Sequence, residues 1–172
     1  MVVLIVLPWP HGQGKVSHFV QFKSPPVNRG AQKRIDISYV CSMEQIERER
    51  MCILLADDNP EVRSALRLLL EQEPVSASIL EVSDSQSLLA CLRESCPVAV
   101  LLDWELPGPK KSDLLNTLNS CCPEMKVIAL SSKYEARREA LAAGVDAFVS
   151  KAEPSELVIT SLDTLVPGLI KR

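Results

Sequence analysis

Three carboxylates, one hydroxyl and one ammonium stand at positions where they could do chemistry together. Asp57-Asp58 follow the apolar run Cys52–Ala56, Asp103 follows 98–102, Ser131 follows 126–130, and Lys151 follows 146–150. In each case the polar residue appears where an apolar stretch of strand length stops. Carboxylates gathered at one place repel one another unless a cation is present. Oxygen-only donors suit Mg2+, which takes few protein carboxylates and keeps several waters. An ammonium and a hydroxyl can hold the oxygens of an incoming phosphoryl group. One carboxylate is then left to act as a nucleophile. Taken singly, each residue has a plainer reading: Asp57-Asp58 as a cap for the following helix, Asp103 as a polar strand terminus, Ser131 as a strand-end hydroxyl.

The elements that must position these residues alternate regularly. Asn59-Pro60 opens a helix with Val62, Leu66, Leu69 and Leu70 on one face, running to about Gln72. A strand is expected over 77–82, then a helix capped by Ser83 or Asp84 that carries Leu88, Leu89 and Leu92 and ends before Pro97. The strand over 98–102 is apolar without alternation, as in a parallel sheet buried on both faces, and Pro107-Gly108 force a turn soon after it. A helix from Ser112 carries Leu114, Leu115 and Leu118 and is broken by Pro123. The strand over 126–130, a helix over 134–143 stopped by Gly144, a strand over 146–150 and a helix opened by Pro154 complete the series. Five strand–helix units with short, right-handed connections predict an α/β fold, a flavodoxin-like (βα)5 parallel sheet in the order 2-1-3-4-5 with helices on both faces. The carboxyl ends of such strands share one edge, so the five polar residues converge there.

Composition narrows the remaining choices. Residues 1–50 hold seven Lys/Arg against four Asp/Glu, whereas the remainder holds twelve against eighteen. The net charge of −3 gives no global reason to expect nucleic acid as a direct partner. The apolar start, residues 1–7, is too short to span a bilayer and lacks the features of a signal peptide, so no membrane association is expected. Four prolines break up residues 1–50. The expectation there is a disordered extension, or a stretch upstream of a true start at Met43 or Met51, with the domain proper over 51–172. The six cysteines include no CxxC pair, and adjacent Cys121-Cys122 is a poor metal or disulfide arrangement. Most of them read as small hydrophobes in a reduced, cytoplasmic compartment.

Residues 52–166 resemble the receiver domain of two-component response regulators. The residues that carry the resemblance are Asp57-Asp58, Asp103 with Leu106-Pro107-Gly108 behind it, Ser131 at the end of Val127-Ile128-Ala129-Leu130, and Lys151 at the end of Gly144-Val145-Asp146-Ala147-Phe148-Val149-Ser150. The resemblance implies that Asp103 accepts a phosphoryl group from a sensor histidine kinase or phosphotransfer protein. It implies that Asp58 and Asp103 ligate Mg2+, with Asp57 assisting through water and the Glu105 backbone carbonyl as a further ligand. Ser131 and Lys151 would bind the phosphoryl oxygens, and Phe148 takes the place of the switch aromatic, although an aromatic in an apolar strand also reads as core. A downstream protein partner would use the face formed by 134–166, and a homodimer is compatible with this reading. Side chains at the positions of Glu105 and Lys133 flank the approach to the phosphoryl group in the family. Their opposite charges here suggest a pair across the opening that modulates the lifetime of the phosphoryl group.

The chain departs from the family pattern in places. Ala152-Glu153 intervene where many receivers have proline after the lysine, a pattern similar to receivers of LuxR-type regulators. Lys111 stands where glycine is common, and no stretch after the receiver has the length of an output domain, which implies a stand-alone receiver or a fragment. Two rival readings are an Asp-nucleophile phosphatase-like enzyme, since Asp103-Trp104-Glu105 resembles a D-x-D motif, and an unphosphorylated pseudo-receiver acting as a binding scaffold.

Overall fold

Strands buried on both faces must be apolar at nearly every position, and the central strands here show the consequence residue by residue. In the computed structural model, which describes residues 51–171, β1 (Cys52–Ala56), β2 (Ser78–Val82), β3 (Ala99–Asp103), β4 (Lys126–Ser131) and β5 (Ala147–Ser150) form one sheet in the order β2-β1-β3-β4-β5. All four pairings are parallel. The sequence-based readings of residues 1–50 lie outside the described residues.

Five helices alternate with the strands: α1 (Pro60–Gln72), α2 (Ser85–Glu94), α3 (Lys111–Cys121), α4 (Ala136–Ala143) and α5 (Glu156–Leu165). Side chains of a strand alternate between faces, and the two cores follow that alternation. Leu54, Ala56, Val100, Leu102, Val127, Ala129 and Phe148 pack with Leu88 of α2, Leu115 of α3 and Ala140 of α4. Ile53, Leu55, Leu101, Ile128, Leu130 and Val149 pack with Leu70 of α1 and Val158 and Leu162 of α5. Central β3 is buried along its whole length, whereas edge strand β2 leaves Leu80 and Glu81 exposed.

Local signals set most boundaries. The Asn59 side chain accepts from Glu61 N at 2.9 Å and Pro60 occupies the first turn of α1. The Asp84 side chain, rather than Ser83, caps α2 by accepting from Ser87 N at 2.8 Å. Gly144 ends α4 in the left-handed conformation, φ +99°, with its N–H turned back to the helix carbonyls. Three starts differ from the sequence reading. Helix α3 begins at Lys111 without a side-chain cap, α4 begins only after the turn at 133–135, and α5 begins at Glu156, two residues beyond Pro154. Leu157 is exposed, and Val158 carries the buried position instead. Asp146 is outside β5 because its carboxylate accepts from Val127 N at 2.8 Å and faces Lys126 at 3.5 Å.

The cysteine reading needs correction at two positions. Cys96, in the α2–β3 loop, and Cys122, at the end of α3, form a disulfide across 26 residues, with their Cα atoms 5.6 Å apart. Both precede strands that start at the amino-terminal edge of the sheet, so the fold brings together two loops whose proximity no cysteine spacing announces. Cys52, Cys91 and Cys121 are free.

Candidate functional site

The site is built on the last rungs of the sheet. Asp57 N donates to Val82 O, Trp104 N donates to Leu130 O at 2.7 Å, and Lys151 N donates to Ser131 O at 2.8 Å. The ladder therefore holds the backbone up to the residues that follow each strand, and Asp57, Asp103, Ser131 and Lys151 meet at one edge. Asp57, Asp103 and Ser131 are buried, and Asp58 is exposed at the rim. One carboxylate oxygen from each of Asp57, Asp58 and Asp103 lies within 4.8 Å of the others.

Lys151 offsets the charge of the two buried acids. Its Nζ donates to Asp57 Oδ2 at 2.7 Å and to Asp103 Oδ1 at 2.9 Å. Burial pushes the Asp103 carboxyl above the usual carboxylate range, and the hydrogen bond and charge of Lys151 only partly oppose it. For Lys151, burial is the largest influence and works against the ammonium, but Asp57 and Asp103 together outweigh it and the net shift is upward. The two carboxylates are further held by backbone amides: Asn59 N donates to Asp57 Oδ1 at 2.9 Å and Glu105 N to Asp103 Oδ1 at 3.2 Å.

Ser131 is fully buried, and its hydroxyl donates to Glu105 Oε1 at 2.7 Å while accepting from Lys133 N at 2.9 Å. The expected Glu105–Lys133 ion pair does not form. Glu105 turns inward to the hydroxyl, and Lys133 is exposed, engaged at this site through its backbone. Phe148 is buried on β5 beside Ala129 of β4, with the Arg137 guanidinium 5.7 Å above its ring. It lies in the core rather than among the carboxylates.

Two residues that the sequence reading gave no part in the site belong to it. Lys111 is half-buried and its ammonium donates to the Leu106 carbonyl, folding back over the loop after Asp103. Burial lowers its pKa, and the nearby charges of Asp103, Glu105 and Glu139 oppose that shift. Its signal in the sequence was a lysine standing where the family commonly has glycine. Arg63 of α1 donates from Nη1 to the Asp57 carbonyl at 2.7 Å and from Nε to Glu81 at 3.3 Å. Gly108, in the loop that leads into Lys111, has φ +153°, and a Cβ there would fall 2.1 Å from Ser85 Oγ. The loop thus runs against the start of α2 at a spacing only glycine permits.

Comparison with known proteins agrees with this architecture. The family profile of the response regulator receiver domain matches residues 53–163. The chain is 30% identical over 118 residues to the Fimbriae Z protein of Salmonella typhimurium, covering 67% of this chain and 56% of that protein. It is 29% identical over 120 residues to the transcriptional activator protein ExaE of Pseudomonas putida, covering 69% of this chain and 56% of that protein. It thus spans just over half the length of these curated relatives. Among solved structures, the Thermotoga maritima response regulator TrrA in complex with Mg2+ and BeF superposes with a TM-score of 0.60 at 22% identity, covering 67% of this chain and 99% of that one. RcsB from Salmonella enterica, bound to a promoter in the presence of the phosphomimetic BeF3−, gives 0.59 at 24%, covering 67% of this chain and 61% of that one.

Proposed function

On the premise that the chain belongs to the response regulator receiver domain family, we propose that residues 51–172 form a phosphorylatable signalling switch with Asp103 as acceptor. The observation that carries this reading is the single ammonium of Lys151 bridging two buried carboxylates beside a third. A carboxylate oxygen of Asp103 attacks the phosphorus of a phosphohistidine on a histidine kinase or phosphotransfer protein. The new P–O bond forms as the P–N bond breaks, and the imidazole nitrogen leaves with the electron pair. The donor set of Asp57, Asp58 and Asp103 fits Mg2+, with the Glu105 carbonyl as a further oxygen ligand; when bound, the ion neutralises charge on the transferring phosphoryl oxygens. Lys151 stabilises charge beside Asp103, and Ser131 offers its hydroxyl to a phosphoryl oxygen. The chain is a signalling domain rather than a turnover enzyme.

Phosphorylation then alters the face formed by 134–166, with Phe148 as the buried aromatic beneath it, and a downstream protein or a second copy of the chain reads that face. Direct binding to nucleic acid or membrane is no part of this reading. Among the described residues no helix is long and apolar enough to cross a membrane. A cytoplasmic location is the setting in which a histidine-kinase partner would meet it.

The test is acetyl phosphate with Mg2+, read by intact mass. The wild-type chain gains one phosphoryl group, and Asp103→Asn or removal of Mg2+ abolishes the gain. Undiminished phosphorylation of Asp103→Asn would assign the chemistry to another residue. No gain in the wild-type chain would favour the binding-scaffold reading.

A further inference from the structure

The hydroxyl that the proposed switch needs is already engaged by a carboxylate. Ser131 has one hydroxyl proton, and two acceptors lie within reach: Glu105 Oε1 at 2.7 Å and the Lys133 carbonyl at 3.1 Å. The charged acceptor at the shorter distance forms the stronger bond. With Lys133 N donating to the same oxygen at 2.9 Å, the loop after β4 is closed on itself and tied to the loop after β3. Ser131 is completely buried. Phe148, paired with Ala129 two residues earlier in β4, is 6% exposed and covered by Arg137. The hydroxyl and the aromatic are both turned inward.

Resting on the receiver reading above, we propose that the Glu105 side chain stands in for a phosphoryl oxygen at Ser131, holding the β4–α4 loop in advance in the arrangement that phosphorylation of Asp103 would otherwise bring about. Two features of the site make this role workable. Glu105 joins the two groups directly: its N–H donates to the Asp103 carboxylate at 3.2 Å while its own carboxylate accepts from the Ser131 hydroxyl at 2.7 Å. Its charge does not stand alone, because Lys111 folds over the same loop and bonds the Leu106 carbonyl. Glu105 is therefore a positioning residue acting through Ser131. A phosphoryl group entering the site must displace it, both to reach the hydroxyl and because two anions repel at short range.

This predicts a division between two substitutions. Glu105→Ala removes both the acceptor and the charge; Glu105→Gln keeps an oxygen acceptor for the hydroxyl and removes only the charge. Amide exchange in the full chain, without any phosphodonor, should quicken at Lys133 and its neighbours by about tenfold in Glu105→Ala, equivalent to about 1.4 kcal/mol, and return towards the wild-type rate in Glu105→Gln. Adding Mg2+ and beryllofluoride should restore protection in Glu105→Ala and change the wild-type β4–α4 loop little, the wild-type response falling on the rest of the 134–166 face. Unchanged exchange in Glu105→Ala, or a beryllofluoride response in the wild-type loop as large as in the variant, would overturn the proposal. Wild-type and variant chains that take up neither beryllofluoride nor a phosphoryl group would instead count against the receiver reading, while exchange without ligand still decides the Glu105–Ser131 contact.

Discussion

Arg63 grips Asp57 by its backbone rather than by its carboxylate. Nη1 donates to the Asp57 carbonyl oxygen at 2.7 Å, while Nε of the same guanidinium is paired with Glu81 at 3.3 Å. The planar fork of arginine serves both partners at once from separate nitrogens held at a fixed spacing, a geometry that the single nitrogen of lysine does not reproduce. Arg63 thereby fixes the peptide that aims the Asp57 and Asp58 side chains. Arg63→Ala should weaken Mg2+ binding by about tenfold, the low end of effects seen when groups supporting metal ligands are removed, and Arg63→Lys should recover little of it. Titration with Mg2+ followed by Trp104 fluorescence measures both.

Removing Lys151 leaves two buried carboxylates facing each other without a cation. Lys151→Ala should cost about 3 kcal/mol of stability near neutral pH, since breaking a buried pair strands the remaining charge. Added Mg2+ should restore much of the loss. The pH dependence follows from the direction of each shift. In the wild-type chain the folded Lys151 pKa is raised, so its contribution is complete below the ordinary lysine value and is lost as pH rises through the folded value. Asp103 is raised chiefly by burial, and without Lys151 the burial and Asp57 both act upward. The folded variant then binds a proton more tightly than its unfolded chain, so its deficit should shrink as pH falls towards about 4. Urea denaturation at several pH values, with and without Mg2+, checks each part.

Gly108→Ala should destabilise the fold by about 2 kcal/mol, because the new methyl group would meet Ser85 Oγ and Cβ at distances no packing tolerates. Ser85→Gly removes both atoms. The double variant should recover part of the loss in a denaturant melt, though the positive φ at 108 remains strained for alanine.

Reduction of Cys96–Cys122 should lower stability by about 3 kcal/mol, as expected on opening a covalent loop of this size. Alkylation of the unfolded, unreduced chain should leave these two cysteines unmodified. Full alkylation without reductant would show that the bond does not form in solution.

The residues legible in the sequence were those at the ends of apolar runs. Asp57, Asp103, Ser131 and Lys151 each follow a strand whose hydrophobic limit is plain, and parallel order then brings them to one edge. What the sequence withheld concerns long side chains and distant loops. Glu105 is two positions from Asp103, and its charge, opposite to that of Lys133, predicts a pair between them. A buried hydroxyl at 2.7 Å was the nearer partner. Lys111 looked like a loop residue until the start of α3 at that position turned its side chain back over Leu106. Cys96 and Cys122 carry no pairing signal, because their meeting depends on how α2 and α3 lie against the same face of the sheet.

The bond between Lys151 and Asp57 joins residues 94 positions apart. A chain made from its amino terminus exposes β1, β3 and all three acids well before the strand that carries the lysine has left the ribosome. Until then the acids have no ammonium to face, and the long loop must still be closed at an entropic cost. On the proposed function, competence to accept a phosphoryl group would thus arrive only after the last strand. Partly synthesised or carboxyl-terminally clipped chains should then fail to take up a phosphoryl group, however much of the sheet they have formed.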